Sequence, residues 1–287
     1  MRASYAVLAA MGALACATKS GAQELRTLEA ARQLTDSQPL QVDVAFAAGK
    51  FSLHPVDGGL LYAMRLRYDE RSTDAIHAYD AENHSLTLGL NRGSANFGLS
   101  ALRGGSHEKS SMLDIGLSGI IPMELTVKIA GTESTLELGG LRLTRLEVNC
   151  AASGATLNFA TMNRAEMETF TLQVAGAGAK IENLGNANAA TVMIQGAAAG
   201  LEIDFGDVVE RDVTIRADVA LGGLQIAVPR QVGLMVRAKS RLGSFDSAGL
   251  KKVGDAWYSE NWNQASRKIT IESNTVIGSI ELSRSGR

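Results

Sequence analysis

The stretch Ala190-Thr-Val-Met-Ile-Gln-Gly196, with Asp212-Val-Thr-Ile-Arg-Ala217 and Gly233-Leu-Met-Val-Arg-Ala238 after it, decides the fold. In each, two branched apolar residues one position apart are followed two places on by a small one: Val192/Ile194/Gly196, Val213/Ile215/Ala217, Leu234/Val236/Ala238. The same phrase recurs outward on both sides, at Val127/Ile129/Gly131, Leu146/Val148/Cys150, Leu172/Val174/Gly176 and Ile269/Ile271/Ser273. The steps from 192 to 213 and from 213 to 234 are 21 residues, and period-two apolarity repeating at that length marks one coil of a β-solenoid. The apolar pair points into the coil and the small residue marks its corner, where a bulky inward side chain meets its copies about 4.8 Å above and below. Gly154, Gly200, Gly222, Gly243 and Gly278 then open a second strand, such as Leu201/Ile203 or Ile280/Leu282. A β-sandwich also alternates, but it has no reason to repeat a small residue at one phase. The expected fold is all-β: a single-stranded β-helix (β-solenoid) of about seven coils over 122–287, preceded by an antiparallel β-hairpin region over 40–121.

Composition agrees. With 45% hydrophobic residues and only 5% aromatic, the 287-residue chain can fill a long thin core with aliphatic layers. Thirty glycines against four prolines suit tight corners. A formal charge of −2 without a Lys/Arg run argues against a nucleic-acid partner.

Residues 1–22 read as an export signal: Arg2 gives a minimal positive start, and the apolar stretch from Ala3 to Ala15 is too short to span a bilayer. Two exits fit. Ser20-Gly21-Ala22 before Gln23 is a small-x-small cleavage site, and Ala13-Leu14-Ala15-Cys16 resembles a bacterial lipobox in which Cys16 is acylated, with Ala13 in place of the usual Leu. The destination is the periplasm or cell surface, and where the second exit is taken a lipid anchor at Cys16 is the one membrane attachment. Apart from Cys16 the chain has only Cys150, so the mature domain holds no internal disulfide, and Cys150 reads as a buried small hydrophobe.

Residues 23–39 form a polar spacer in which Leu25, Leu28, Ala31 and Leu34 lie at loosely helical spacing, a short helix or a tether. From Leu40 the alternation is that of hairpins: Val42, Val44 and Phe46, then Phe51 and Leu53, then Leu60 to Tyr68, then Leu86, Leu88 and Leu90. The Gly/Ser-rich segment 91–118 is expected to be an irregular crossing or a partly disordered loop before Pro122.

Leu40-Gln-Val-Asp-Val, Gly49-Lys-Phe-Ser-Leu-His-Pro, Gly59-Leu-Leu-Tyr and Ile121-Pro-Met-Glu-Leu-Thr-Val-Lys-Ile-Ala-Gly resemble the bacterial toast-rack domain proteins with their N-terminal domain. Trp257-Tyr-Ser-Glu-Asn-Trp262, Lys268-Ile-Thr-Ile-Glu and Ile277-Gly-Ser-Ile-Glu-Leu resemble the closing segment of those proteins and of related envelope adhesins of β-solenoid fold. The resemblance spans residues 40 to 284. It implies a stacked β-helix in the bacterial envelope and supplies no catalytic residues.

Chemistry-bearing patterns are sparse. His54, His77, His84 and His107 match no metal-ligand spacing, so neither a metal site nor a cofactor is expected. Gly176-Ala-Gly-Ala-Lys180 lacks a full phosphate-loop pattern. Glu182, Glu202, Asp204, Asp207 and Glu210 form an acidic set which, aligned on one flank, would suit a polysaccharide lyase or hydrolase; that needs carboxylates at one phase in three adjacent coils, and Gln225 interrupts the series. The step from Leu234 to Ile269 is 35 residues, and the excess carries Trp257, Tyr258 and Trp262. Clustered aromatics suit glycan stacking or a protein hot spot, but a place before the last coil favours a cap over the raw solenoid end. The expected function is non-enzymatic, with no catalytic residues: a repetitive envelope surface for adhesion, sensing or assembly, with an envelope protein, a glycan or another copy of the chain as partner. A carbohydrate-active β-helix enzyme and a purely structural envelope component are the competing classes.

Overall fold

The computed structural model describes residues 25–71, 73–91, 111–247 and 249–285, and among them the chain is all-β, with one 3-10 turn at Leu184–Ala187. In chain order the first strands are β1 (Leu25–Gln33), β2 (Leu40–Val56), β3 (Leu60–Asp69), β4 (Asp74–Asp80), β5 (Ser85–Asn91) and β6 (Met112–Ser118). The middle strands are β7 (Met123–Glu137), β8 (Leu143–Ala151), β9 (Gly154–Asn158), β10 (Met167–Ala175), β11 (Gly178–Glu182), β12 (Ala189–Ala197) and β13 (Ala199–Asp204). The last are β14 (Val213–Pro229), β15 (Gly233–Asp246), β16 (Lys251–Val253), β17 (Ala256–Tyr258) and β18 (Lys268–Ser285).

Two parallel ladders run the length of the molecule. In one, the first half of β2 pairs with β7, then follow β8, β10, β12, β14, β18 and β15. In the other, the second half of β2 pairs with that of β7, then follow β9, β11, β13 and the second halves of β14, β18 and β15. Because side chains alternate along each strand, every second residue enters one continuous core. Val42, Leu125, Leu146, Phe170, Val192, Ile215, Ile271 and Val236 form one inward column. Val44, Val127, Val148, Leu172, Ile194, Ala217, Ser273 and Ala238 form the next.

The columns correct the phase read from the sequence. Val127 opens its phrase yet stacks on Val148, which closes the apolar pair of its own, and Leu172 in turn stacks on Val148. The small residues therefore do not share one column: Cys150 and Gly196 lie in line with Val174 and Val219, while Ala217 lies one column back. A slip of two residues leaves the same side chains facing inward, so the apolar pattern tolerates it and the step between rungs departs from 21 residues.

Three further expectations change. Residues 25–33 are neither helix nor tether but strand β1, antiparallel to β3, with Leu28 and Ala30 packed partly on the core; sheet pairing overrides the weak helical spacing. Within 91–118, Met112–Ser118 is strand β6, between β3 and β2; residues 92–110 lie outside the described residues. Stacking starts at Leu40 rather than at 122, because Leu40 to Leu53 align with Met123 to Leu136. Antiparallel strands do occur at that end, where β5 and β4 extend one ladder and β6, β3 and β1 the other.

The far end is out of chain order. β18 sits between β14 and β15, parallel to both, so β15 and not the last strand is the terminal rung. The β16–β17 hairpin then pairs antiparallel on the outer edge of β15.

Candidate functional site

Trp257, Tyr258 and Trp262 meet at this terminal edge, and the register divides their roles. Trp257 lies opposite the buried Val236 and therefore shares the inward side, where its ring meets Phe245 edge-on at 4.7 Å and Lys252 Nζ lies 4.9 Å from it. Tyr258 lies opposite Met235 and Lys251 on the outward side and contacts Trp262 at 5.7 Å, with Lys268 Nζ 5.2 Å from the Trp262 ring. Both tryptophans are half-buried. Trp257 packs against Phe245 on the inward side of the terminal edge, whereas Tyr258 and Trp262 form a small outward aromatic pair with a cation beside it. Trp257→Ala is accordingly expected to cost about 1–3 kcal/mol, less than the about 3–5 kcal/mol of a fully enclosed aromatic, and Trp262→Ala about 1 kcal/mol or less. Thermal melts of the two variants check this, and equal losses would refute the division.

The other sequence candidates do not assemble. Cys16 lies outside the described residues, as does His107. Burial pushes the Cys150 thiol up to about 12, so it stays a protonated, unreactive thiol in the core. In the acidic set, Glu202 stands between Lys180 and Gln225, and Lys180 Nζ binds Glu182 at 2.7 Å, which raises the lysine's pKa. Asp204 lies beside Ala227, so no three adjacent rungs align carboxylates. Among the described residues no group of His, Cys, Asp and Glu could hold a metal ion.

The β2–β6 pairing does gather one trio absent from the sequence reading. Ser52 donates to Asp114 Oδ1, and His54 Nε2 lies 3.5 Å from the same oxygen. The hydroxyl engages the carboxylate rather than the imidazole, so the trio lacks the nucleophile–base contact that activates a serine.

The most regular surface feature is an outward row that the register creates. Lys128, Asn149, Gln173, Gln195, Asp218, Asn274 and Lys239 lie side by side on successive rungs. Next to them run Ala151, Ala175, Ala197 and Ala220, and these alanines, the Asn149 to Asn274 part of the row, and Val174, Val219 and Val276 line a groove of about 590 Å³. Asn274 Nδ2 donates to Asp218 Oδ1 at 2.8 Å, and Asn149 Nδ2 donates to Glu147 at 2.9 Å. Gln173 and Gln195 are exposed and make no side-chain hydrogen bond among the described residues. Each member stands alone in its own strand, so only the stacking register reveals the row.

Among solved structures, a "putative cell adhesion protein" from Clostridium sporogenes is similar over 91% of this chain and 100% of its own, at 13% identity and a TM-score of 0.45. A "putative adhesin" from Parabacteroides distasonis is similar over 91% and 98% at 10% identity and a TM-score of 0.43. A "putative lipid binding protein" from the same species is similar over 92% and 96% at 10% identity and a TM-score of 0.31. No curated protein matches the chain. Among the described residues no helix is long and apolar enough to cross a membrane. The family described as the N-terminal domain of toast_rack, DUF2154, matches residues 19–174, more than half of the chain and through rung β10, and the chain belongs to that family.

Proposed function

We propose that this is a non-enzymatic, exported cell-envelope protein whose two ladders are the faces of a β-solenoid displaying a repeating surface, and that the surface binds an extended envelope glycan. The supporting observation is the row Asn149–Gln173–Gln195–Asp218–Asn274 along the alanine-floored groove. Amides offer both donors and acceptors, which suits hydroxyl-rich ligands. Their recurrence once per rung, about 4.8 Å apart, suits a polymer that repeats along the same axis. The alanine floor lets a ligand approach the sheet closely.

The test is binding of the purified protein to immobilised bacterial cell-wall and surface polysaccharides. The Gln173→Ala/Gln195→Ala double variant, altered only at exposed positions, is expected to bind about tenfold more weakly or worse, the loss of one to two hydrogen bonds. Undiminished binding by the variant would refute the site. New reducing ends after incubation with the same polysaccharides would replace the reading with a lyase or hydrolase, and binding to none of them would leave protein assembly or a structural role.

A further inference from the structure

The groove beside the amide row has a floor of methyl groups. Ala175, Ala197 and Ala220 are exposed on successive rungs, and Val276, level with Ala220 on β18, is 46% exposed and continues the strip. Of the residues that line the groove none is aromatic, and Asp218 is the one that carries a charge. An exposed apolar strip gains by being covered. Its grain here is that of single methyl groups, one per rung, rather than of a ring face.

The polar wall narrows the ligand further. Asn149 and Asn274 direct their Nδ2 groups to Glu147 and Asp218, which leaves each Oδ1 as an acceptor. Gln173 and Gln195, on adjacent rungs, keep donor and acceptor for a ligand. An acyl chain would cover the alanines but press these amides against hydrocarbon without partners. A polyanion would bring its charge towards Asp218 with no lining cation to meet it. A polymer of plain hexoses would satisfy the amides with hydroxyls but has no methyl to set on the strip. An acetamido group serves both sides: its methyl suits the floor, and its planar trans amide presents N–H and C=O in opposite directions, so one glutamine can donate to its oxygen while the other accepts its N–H.

We infer, resting on the glycan reading proposed above, that the polymer is one of N-acetylated amino sugars. Its acetamido methyls lie on the Ala175–Ala197–Ala220 strip, and its acetamido amides engage Gln173 and Gln195. The strip selects the substituent, and the amide row holds it.

The test compares, on the purified full-length protein, soluble oligosaccharides of one linkage and equal length built from N-acetylglucosamine, from glucosamine and from glucose. Isothermal titration is expected to give the N-acetylated oligomer an affinity at least about tenfold above that of the other two, the gain from burying its methyl groups. Ala197→Gln, at an exposed outward position, fills the floor and spares the amide row. With its fold checked by circular dichroism, it is expected to bring the N-acetylated oligomer down to the affinity of the glucose oligomer. Equal affinity of the wild type for the N-acetylated and glucose oligomers would overturn the inference and leave the glycan reading intact, as would tighter binding of the glucosamine oligomer. Binding to none of the three while other bacterial polysaccharides still bind would overturn the N-acetyl assignment alone, and binding to no polysaccharide would remove the glycan reading with it.

Discussion

Gly278→Ala is expected to unseat strand β18 from between β14 and β15. Gly278 has φ +148°, and a Cβ there would lie 1.7 Å from the carbonyl oxygen of Gly222 and 2.8 Å from its carbonyl carbon. The obstruction is backbone, which no side-chain rotation relieves. Gly222 meets the same obstacle one rung back: at φ +133° its Cβ would lie 1.7 Å from Ala199 O. Corner glycines are therefore required where one rung's backbone rests against the next. Strained backbone and overpacking together set a loss of about 2–6 kcal/mol. Gly200→Ala is the matched control, because nothing lies within 4 Å of its Cβ and its φ is unexceptional; its effect is expected within about 1 kcal/mol. Thermal melts by circular dichroism read both, and coincident curves would refute the close approach. The loss is expected at the β14–β18–β15 end, where β18 pairs the terminal rung with β14.

The sequence made the strands legible, since inward Val, Ile and Leu at alternate positions need only local spacing. It did not make their order legible. Ile269/Ile271 presents the same aliphatic pair whether it lies beside Val213/Ile215 or beside Leu234/Val236, and in the fold it lies beside both. Parallel pairing is set by backbone hydrogen bonds that any residue but proline can make, so side-chain pattern leaves the choice of neighbour open. The same limit hid the amide row, whose members acquire a common direction only through the ladder. It also merged two roles in Trp257 and Trp262, because which of them faces the core depends on Trp257 lying opposite Val236. β1 escaped for a different reason: at the sheet's edge it buries little, and its charged residues mask the alternation. Arg65 of β3 meets Glu29 at 3.2 Å, an exposed ion pair that adds little to the antiparallel backbone pairing holding the edge strand.

Asn163→Ala is expected to cost about 3–5 kcal/mol, one orphaned polar group after another. Asn163 is 1% exposed and lies in the turn between β9 and β10. Its Oδ1 accepts the Leu143 N–H at 2.8 Å. Its Nδ2 donates to the carbonyls of Leu143 at 2.8 Å, Ala165 at 2.9 Å and Ala187 at 3.2 Å. The Asn163 N–H itself reaches Asn186 O at 2.8 Å. One amide thus fastens three successive turns of the chain at the open corner, where no ladder does so. Alanine leaves the Leu143 N–H without its acceptor and takes the Nδ2 donor from the Leu143 and Ala187 carbonyls in a buried site, while Ala165 O keeps Asn188 Nδ2 at 3.0 Å. Asn163→Asp separates the two halves of the network: it retains the acceptor but turns the donor into a second acceptor facing carbonyl oxygens. Protonation restores a donor, so the new carboxyl has a raised pKa in the folded state. Its penalty is therefore largest at neutral pH and shrinks as pH falls through that raised value. Melts of wild type and both variants between about pH 4 and 7.5 read the effect. An alanine variant within about 1 kcal/mol of wild type, or an aspartate variant whose deficit is independent of pH, would show that the corner is held by packing instead.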